Sequence, residues 1–290
     1  MSMEHAMLAE KILNEVERLP SLPRAVIEIM RTIDDPDVSS AALAKQIESD
    51  IGLLSGVLRL VNSSFYAVSG HVSTAHQAVV LLGFNAIRNL VCVAGITDYF
   101  QKNSARTFDY ENFLRHSAGV GCTAKLLAGP AGLNPDTAFV AGILHDLGQL
   151  ALAASAPYEY NLIMDYQALH GCSLTEAEQA VIGMDHARIG AHLAKLWHLP
   201  DEICESIEWH HQPSDHQAPV SPIADLIHVA NVLSYALELG SEEPVPLLSD
   251  GALIRLGLTL QQAWPLLGRI EDEYSDYTKM LGVGEPLQKS

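Results

Sequence analysis

The sequence is poor in basic residues. Lysine and arginine together number 17, against 35 aspartates and glutamates, which gives a formal net charge of −18 over 290 residues. An acidic surface repels the phosphates of nucleic acids and of anionic membranes, and no basic stripe offsets it here. We therefore expect neither a nucleic acid nor a membrane to be a partner of this protein.

Long apolar segments and paired cysteines are also missing. The run Leu90–Ile96 falls well short of the about 20 residues that cross a membrane, and Met1–Ala6 has no basic or apolar signal region. The four cysteines form no C-x-x-C pair and are Cys92, Cys122, Cys172 and Cys204. Widely spaced cysteines of this kind are typical of free thiols in a reducing compartment, so we expect a cytoplasmic protein.

The residues that are abundant favour helices. The chain is 48% hydrophobic but only 6% aromatic, and alanine and leucine, both good helix formers, are frequent. Turn signals separate helical patterns and no strand ladder is visible. We predict an all-α fold, a multi-helix bundle in two lobes. The first lobe covers residues 1–103, the second covers 104–240, and a helical tail covers 241–290, with the polar segment Gln101–Arg106 marking the first boundary.

Capping signals locate several helices of the second lobe. Asp136 is predicted to cap a helix that carries His145 and Asp146 and ends at Gly148. Ser173-Leu-Thr-Glu176 has the pattern of a capping box, and Asp185 precedes a helix that begins at His186.

The stretch Ala141–Gly148 carries the most unusual pair of side chains. His145 and Asp146 stand side by side at the end of an apolar helix. Ionisable groups in an apolar setting cost free energy unless something compensates them. A metal ion, a proton shared with another side chain, or exposure in a cleft would each provide that compensation.

Four further histidines lie on helices of the same lobe. Taken singly, His116 is compatible with a core histidine bonded to a backbone carbonyl, and His186 with a surface residue. The pair His210-His211 is compatible with a solvated helix end. Together with the doublet they form a larger set, in which imidazoles outnumber carboxylates. Such a set is typical of Zn, Fe, Mn or Ni sites, and ligands from several helices of a bundle can converge on one or two ions.

An ordered series of motifs resembles the HDOD family, a branch of the HD-domain superfamily found in bacterial signalling proteins. The resemblance runs from about residue 17 to residue 235. Its motifs in this chain are Leu19-Pro-Ser-Leu-Pro23, Ile47-Glu-Ser-Asp50, Leu58–Tyr66, Ala78–Phe84, Arg88-Asn-Leu90, Ala138–Gly148, Asp185–Ala191, Trp197-His-Leu-Pro200 and His210-His211.

The resemblance implies an all-α fold with a metal site for one or two divalent ions. The residues that it assigns to the metal are His116, His145, Asp146, His186, His210, His211 and Asn231. Asn231 stands where the superfamily pattern has an aspartate, and a neutral amide is a poorer ligand. Asp225 lies six residues earlier on the same helix, about 600° away, and is expected to point elsewhere.

Two further departures concern the handling of a substrate. Gln149 stands where active relatives commonly carry a lysine, and no G-Y-P sequence follows His210-His211, as it does in the related HD-GYP phosphodiesterases. The expected ligand set is therefore mostly kept, while the residues that handle substrate look absent.

Two hypotheses of different class follow. In the first, the protein is a regulatory module of a signalling pathway, a non-catalytic scaffold that binds a protein partner or a nucleotide and holds any metal as a structural or regulatory group. In the second, it is a metal-dependent phosphohydrolase or phosphodiesterase, in which Asp146 bridges the ions and is the candidate catalytic residue.

Overall fold

The fold is all-α. The computed structural model describes residues 3–19, 22, 24–33, 37–62, 66, 70–103, 108–213, 221–240, 245–281 and 283, and these ranges hold helices, turns and loops but no strand. The predicted fold class is therefore confirmed.

The N-terminal part contains five helices. They are α1 (Met3–Glu17), α2 (Arg24–Ile33), α3 (Ser40–Glu48), α4 (Ile51–Val61) and α5 (Ala75–Asn103). The carboxylate of Asp50 accepts the backbone N–H of Leu53 and caps α4. Helix α5 is interrupted at Gly83, whose φ of 80° and ψ of 172° are not helical. Glycine adopts this conformation at little cost, so α5 is two helical segments joined at a kink.

The next eight helices run from residue 110 to residue 236. They are α6 (Tyr110–Ala128), α7 (Pro135–Leu144), α8 (Leu147–Ser155), α9 (Pro157–His170), α10 (Leu174–Ile182), α11 (His186–Leu196), α12 (Asp201–Trp209) and α13 (Pro222–Ala236). The predicted capping box of Ser173 and Glu176 is present, and Asp185 caps α11 as predicted.

The predicted cap of α7 was wrong by two residues. The side chain of Asn134 accepts the backbone N–H groups of Asp136 and Thr137, so Asn134 is the cap and Asp136 lies in the first turn. Pro135 occupies the first helical position, where its missing N–H costs nothing, and this fixes the cap one residue before it.

The C-terminal part adds α14 (Asp250–Leu256), α15 (Leu260–Ala263), a 3₁₀ turn at Trp264–Leu266 and α16 (Leu267–Leu281). Helix α14 packs on α13, and α16 packs on α6.

One hydrophobic core connects the two predicted lobes. Helix α5 packs against α7 and α8, while α1 packs against α8, α10 and α11. Phe100 of α5 and Phe139 of α7 belong to this core and are fully buried. The lobe boundary itself stays a prediction, because residues 104–107 of the segment Gln101–Arg106 lie outside the described residues.

Two helical stretches of the described residues are long and apolar enough to cross a membrane by length and composition alone. In Ala75–Gln101 and Pro135–Ser155, however, 61% and 83% of the most apolar window is buried inside the protein. Core helices pass the same test, so these stretches are weak grounds for a membrane span.

Candidate metal centre

The fold brings the predicted ligands together from five places in the chain. Helix α6 supplies one histidine, the α7–α8 junction supplies the doublet, α11 and the end of α12 supply three histidines, and α13 supplies the asparagine. Six of the seven side chains are buried, namely His116, His145, Asp146, His186, His210 and Asn231. The seventh, His211, is half-buried.

Asp146 lies at the centre of this cluster. Its Oδ1 is 3.1 Å from Nε2 of His186 and 3.4 Å from Nε2 of His210. Its Oδ2 is 3.3 Å from Nε2 of His145 and 3.9 Å from Nε2 of His116. The two carboxylate oxygens therefore face two different pairs of imidazoles.

The donor atoms form two overlapping groups that share Asp146. The first group contains Asp146, His186, His210 and His211, and the second contains His116, His145 and Asp146. Within each group, one possible ligand atom from every residue lies within 4.8 Å of the others. Nε2 of His211 is 2.8 Å from Nε2 of His186. A carboxylate that belongs to both groups is the arrangement with which a protein bridges two metal ions.

Backbone carbonyls orient two of the imidazoles. Nδ1 of His145 is 2.7 Å from the carbonyl oxygen of Gly142, and Nδ1 of His210 is 2.8 Å from that of Ile207. Because a carbonyl only accepts, each Nδ1 carries a proton, so in the neutral ring Nε2 is the lone-pair nitrogen and lies on the side of Asp146. This is the tautomer that a metal-binding histidine needs.

Several buried polar atoms of the cluster have no well-aligned hydrogen-bond partner among the described residues. They are both ring nitrogens of His116, Nε2 of His145, Oδ1 of Asp146, Nε2 of His210 and Oδ1 of Asn231. Buried polar atoms are almost always paired, and leaving one unpaired costs about 1–3 kcal/mol. Imidazole nitrogens and a carboxylate oxygen are ligands of divalent transition metals, so the cluster could hold a metal.

Glu178 of α10 is a further member of the site that was not predicted from the sequence. It is 1% exposed, its Oε2 accepts the backbone N–H of His186, and the same oxygen lies 2.8 Å from Nδ1 of that ring. The signal was present in the sequence, because Leu174 and Ile182 lie four residues to either side and place Glu178 on an apolar helix face.

His228 of α13 was also not predicted. Its Nδ1 lies 2.8 Å from the backbone carbonyl of His210, and its Nε2 accepts the backbone N–H of Ser249 at 3.0 Å. His228 therefore connects the end of α12 with the segment that precedes α14. No short sequence motif could predict this role, because the two partners are 18 and 21 residues away in the chain.

Gly148 does not end a helix, contrary to the prediction. Helix α7 ends at Leu144, and Gly148 lies in the first turn of α8. A Cβ atom at Gly148 would overlap the carbonyl oxygen of His186, and one at Gly190 would lie 2.7 Å from the backbone nitrogen of Gly148. The two glycines let α8 and α11 approach closely, and this approach carries Asp146 to His186.

Burial and mutual charge shift the pKa values of the cluster in opposite directions. Burial and the neighbouring His145 lower the pKa of His116 to about 4, and burial is also the main cause that lowers the pKa of His210 to about 4. Burial opposes ionisation of Asp146, but His145 and His186 hold its pKa well below the usual range. Burial likewise opposes protonation of His186, yet the carboxylates of Glu178 and Asp146 keep its pKa well above the usual range.

Two of the departures noted in the sequence, at Asn231 and Gln149, have structural counterparts. Asn231 faces the cluster as a buried amide, with its Oδ1 unpaired among the described residues. The side-chain amide of Gln149 donates to Oδ2 of Asp146 at 2.8 Å. Asp225 points away as expected, since its carboxylate pairs with Arg255 of α14.

Comparison with known proteins identifies relatives of this chain. The family model of the HDOD domain matches residues 19–213. An HDOD domain protein of unknown function from Geobacter sulfurreducens superposes with a TM-score of 0.80 at 26% identity, over 94% of this chain and 97% of that one. A Shewanella amazonensis SB2B structure named "Putative phosphohydrolase" has a TM-score of 0.76 at 26% identity, over 93% and 97% of the two chains.

Curated relatives are longer proteins. An uncharacterised protein of Treponema pallidum is 25% identical over 225 residues, which are 78% of this chain and 44% of that protein. Ribonuclease Y of Lactobacillus gasseri is 30% identical over 161 residues, 55% of this chain and 23% of the enzyme. The chain thus spans less than half the length of these relatives.

Proposed function

The chain belongs to the HDOD domain family, and from this membership and the geometry of the site we propose that it is a regulatory signalling module. In this proposal the helical scaffold acts in the cytoplasm by binding a protein partner or a nucleotide. A divalent metal ion, if held by the cluster, has a structural or regulatory role.

The side chain of Gln149 is the observation that carries this proposal. Its amide donates to Oδ2 of Asp146, the oxygen that faces His145 and His116. A lysine or arginine beside the metal would hold a phosphate, but no such cation pairs with Asp146 or Glu178 among the described residues. The site thus keeps its metal-binding atoms, while no lysine or arginine of the described residues pairs with its carboxylates as a holder of phosphate would.

The burial of the cluster supports the same proposal. His145 and His210 are fully buried, and His116 and Asp146 are 6% and 3% exposed. A phosphodiester has to reach the metal to be cleaved, and among the described residues only His211 of the ligand set is half-buried. An ion enclosed in this way is suited to stabilising a conformation that a partner recognises.

The alternative is a metal-dependent phosphohydrolase or phosphodiesterase. The sharing of Asp146 by two donor groups favours it, because two bridged ions are a common device for cleaving phosphoesters. When bound, such ions supply a Lewis acid and a water of lowered pKa. In that case Asp146 would hold both ions, and His145 and His210 would present their unprotonated Nε2 atoms to them.

One experiment separates the two functions. The purified chain is analysed for its content of Fe, Mn, Zn and Ni, and is then assayed with added metals on a generic phosphodiester, cyclic dinucleotides and a short RNA. We expect bound metal without turnover. Turnover that disappears in both His145→Ala and Asp146→Ala would contradict the scaffold proposal and establish the hydrolase. Absence of any metal at neutral pH would contradict the hydrolase and leave the cluster as a hydrogen-bonded structural element of the scaffold.

A further inference from the structure

A small cavity lies on the other side of α6 and α7, between them and the N-terminal helices. Its volume is about 70 Å³, and α4, α5, α6, α7 and α16 all contribute to its walls. Half of the lining residues are aliphatic, among them Leu60, Val93 and Ile143. The cavity is separate from the His/Asp cluster, although Ser117 in its wall directly follows His116 in the chain.

Ser117 and Tyr277 are both buried polar residues in the wall of this cavity. The side chain of Ser117 is 1% exposed, and its hydroxyl has no hydrogen-bond partner in the part of the chain that the structure describes. Neighbouring Thr97 also lines the cavity, but its hydroxyl already donates to the backbone carbonyl of Val93 at 2.7 Å. A buried hydroxyl without a partner is uncommon in proteins, and one that lines a cavity is placed to bond with an occupant.

Arg59 supplies a positive charge at the edge of the same cavity. It is exposed to solvent, and no carboxylate of the described residues lies within ion-pair distance of its guanidinium. In a chain of net charge −18, acidic residues outnumber basic ones, so an arginine that pairs with no carboxylate of the described residues is unusual. A guanidinium binds carboxylates through paired hydrogen bonds, and no acidic side chain lines this cavity.

The size of the cavity limits the occupant. Since one water molecule takes about 30 Å³, a volume of about 70 Å³ has room for two waters or for an organic molecule of roughly four or five heavy atoms. The aliphatic walls offer water few partners. An occupant with a short apolar part and a negatively charged oxygen end complements the walls, the hydroxyl and the guanidinium together.

We propose that this cavity is a binding site for a short-chain monocarboxylate of two or three carbons, whose oxygens accept hydrogen bonds from Arg59 and Ser117 and whose alkyl part packs on the aliphatic wall. The inference is independent of the function proposed above. It concerns a site that shares no side chain with the His/Asp cluster.

The test is a calorimetric titration of the full chain with sodium propionate at constant ionic strength. Because carboxylates also bind metal ions, the protein is first treated with a chelator. We expect saturable binding of one propionate per chain and no saturable binding of 1-propanol, which has the alkyl part but no charge. Equal binding of propanol, or equal binding of nitrate, would overturn the proposed ligand class. The absence of saturable propionate binding would overturn the site.

Two substitutions identify the binding groups. Arg59→Gln should weaken propionate binding about 10- to 100-fold, and Ser117→Ala about 3- to 10-fold, as expected for a charged and a neutral hydrogen bond. Arg18→Gln is the matched control, because Arg18 is an exposed arginine that directly follows α1 and pairs with Glu15 of that helix. Thermal unfolding of each variant establishes that it is folded. If folded Arg59→Gln binds propionate as the wild type does, the assignment is wrong.

Discussion

Glu178 holds His186 by two bonds at once. The carboxylate accepts the backbone N–H at 2.9 Å, and its oxygens lie 2.8 and 3.0 Å from Nδ1 of the ring, which leaves Nε2 directed at Asp146. A carboxylate behind a ligating histidine fixes the ring and raises its basicity as a ligand. Through this pair, α10 fixes the orientation of one histidine of the candidate metal centre.

Removing this carboxylate should weaken metal binding. We expect Glu178→Gln to lower the affinity for Zn or Mn about 10- to 100-fold, the usual effect of losing a hydrogen-bond partner behind a metal ligand. Competition with a chromophoric chelator measures the affinity. Glu176→Gln is the control, because Glu176 is an exposed residue of the same helix and glutamine also fits a capping box. An unchanged affinity in Glu178→Gln would show that His186 is not a ligand.

Restoring the acidic residue at position 231 should strengthen the site. In Asn231→Asp a carboxylate replaces a buried amide whose Oδ1 is unpaired, and carboxylates are the better ligands for divalent ions. We expect metal affinity to rise at least about tenfold, and the melting temperature in chelator to fall because an unpaired charge is buried. Chelator competition and thermal unfolding measure the two effects. A variant with unchanged affinity would place Asn231 outside the metal site.

The close approach of α8 and α11 can be tested with alanine. Gly148→Ala would put a Cβ onto the carbonyl oxygen of His186, so we expect a loss of about 1–3 kcal/mol in the free energy of unfolding, together with weaker metal binding. Gly129→Ala is the control, since a Cβ there meets nothing within 4 Å and its φ of −57° is helical. Denaturant unfolding measures the stability of both variants. Equal stability of the two variants would contradict the contact.

The buried histidines should make the metal-free protein sensitive to mild acid. The pKa of both His116 and His210 is lowered from 6.5 to about 4 in the folded protein, mainly by burial. Between pH 6.5 and pH 4 the unfolded chain therefore binds protons that the folded chain does not, and the free energy of unfolding falls as the pH falls through this window. The raised pKa of His186 changes the free energy of unfolding only above pH 6.5, and the lowered pKa of Asp146 changes it only below pH 4.

A single substitution tests this dependence. With chelator present, His210→Asn should reduce the slope of unfolding free energy against pH by up to about 1.4 kcal/mol per pH unit, the effect of one proton. Urea unfolding at closely spaced pH values from 7 to 4 gives the slope. A wild-type stability that stays level across this range would show that these two imidazoles titrate normally in the folded protein.

The errors in predicting α7 and α8 come from signals that are ambiguous in sequence. A glycine after an apolar helix reads as a helix end, and Gly148 has that position, but a glycine at a close helix crossing looks the same. The crossing depends on Gly190, 42 residues further on, and no local rule connects the two. Likewise Asp136 and Asn134 are both good caps, and Pro135 between them decided the outcome.

The sequence by itself determined the all-α class, the caps at Ser173 and Asp185 and the inventory of possible metal ligands, because capping bonds and apolar faces depend on residues within about four positions of one another. It also determined that Asn231 and Gln149 depart from the family pattern. Only the tertiary structure decided that Asp146 divides its two oxygens between two pairs of histidines, and that Glu178 and His228 hold the histidines in place. Those contacts arise where separate helices pack on one core, so their distances follow from packing and not from spacing along the chain.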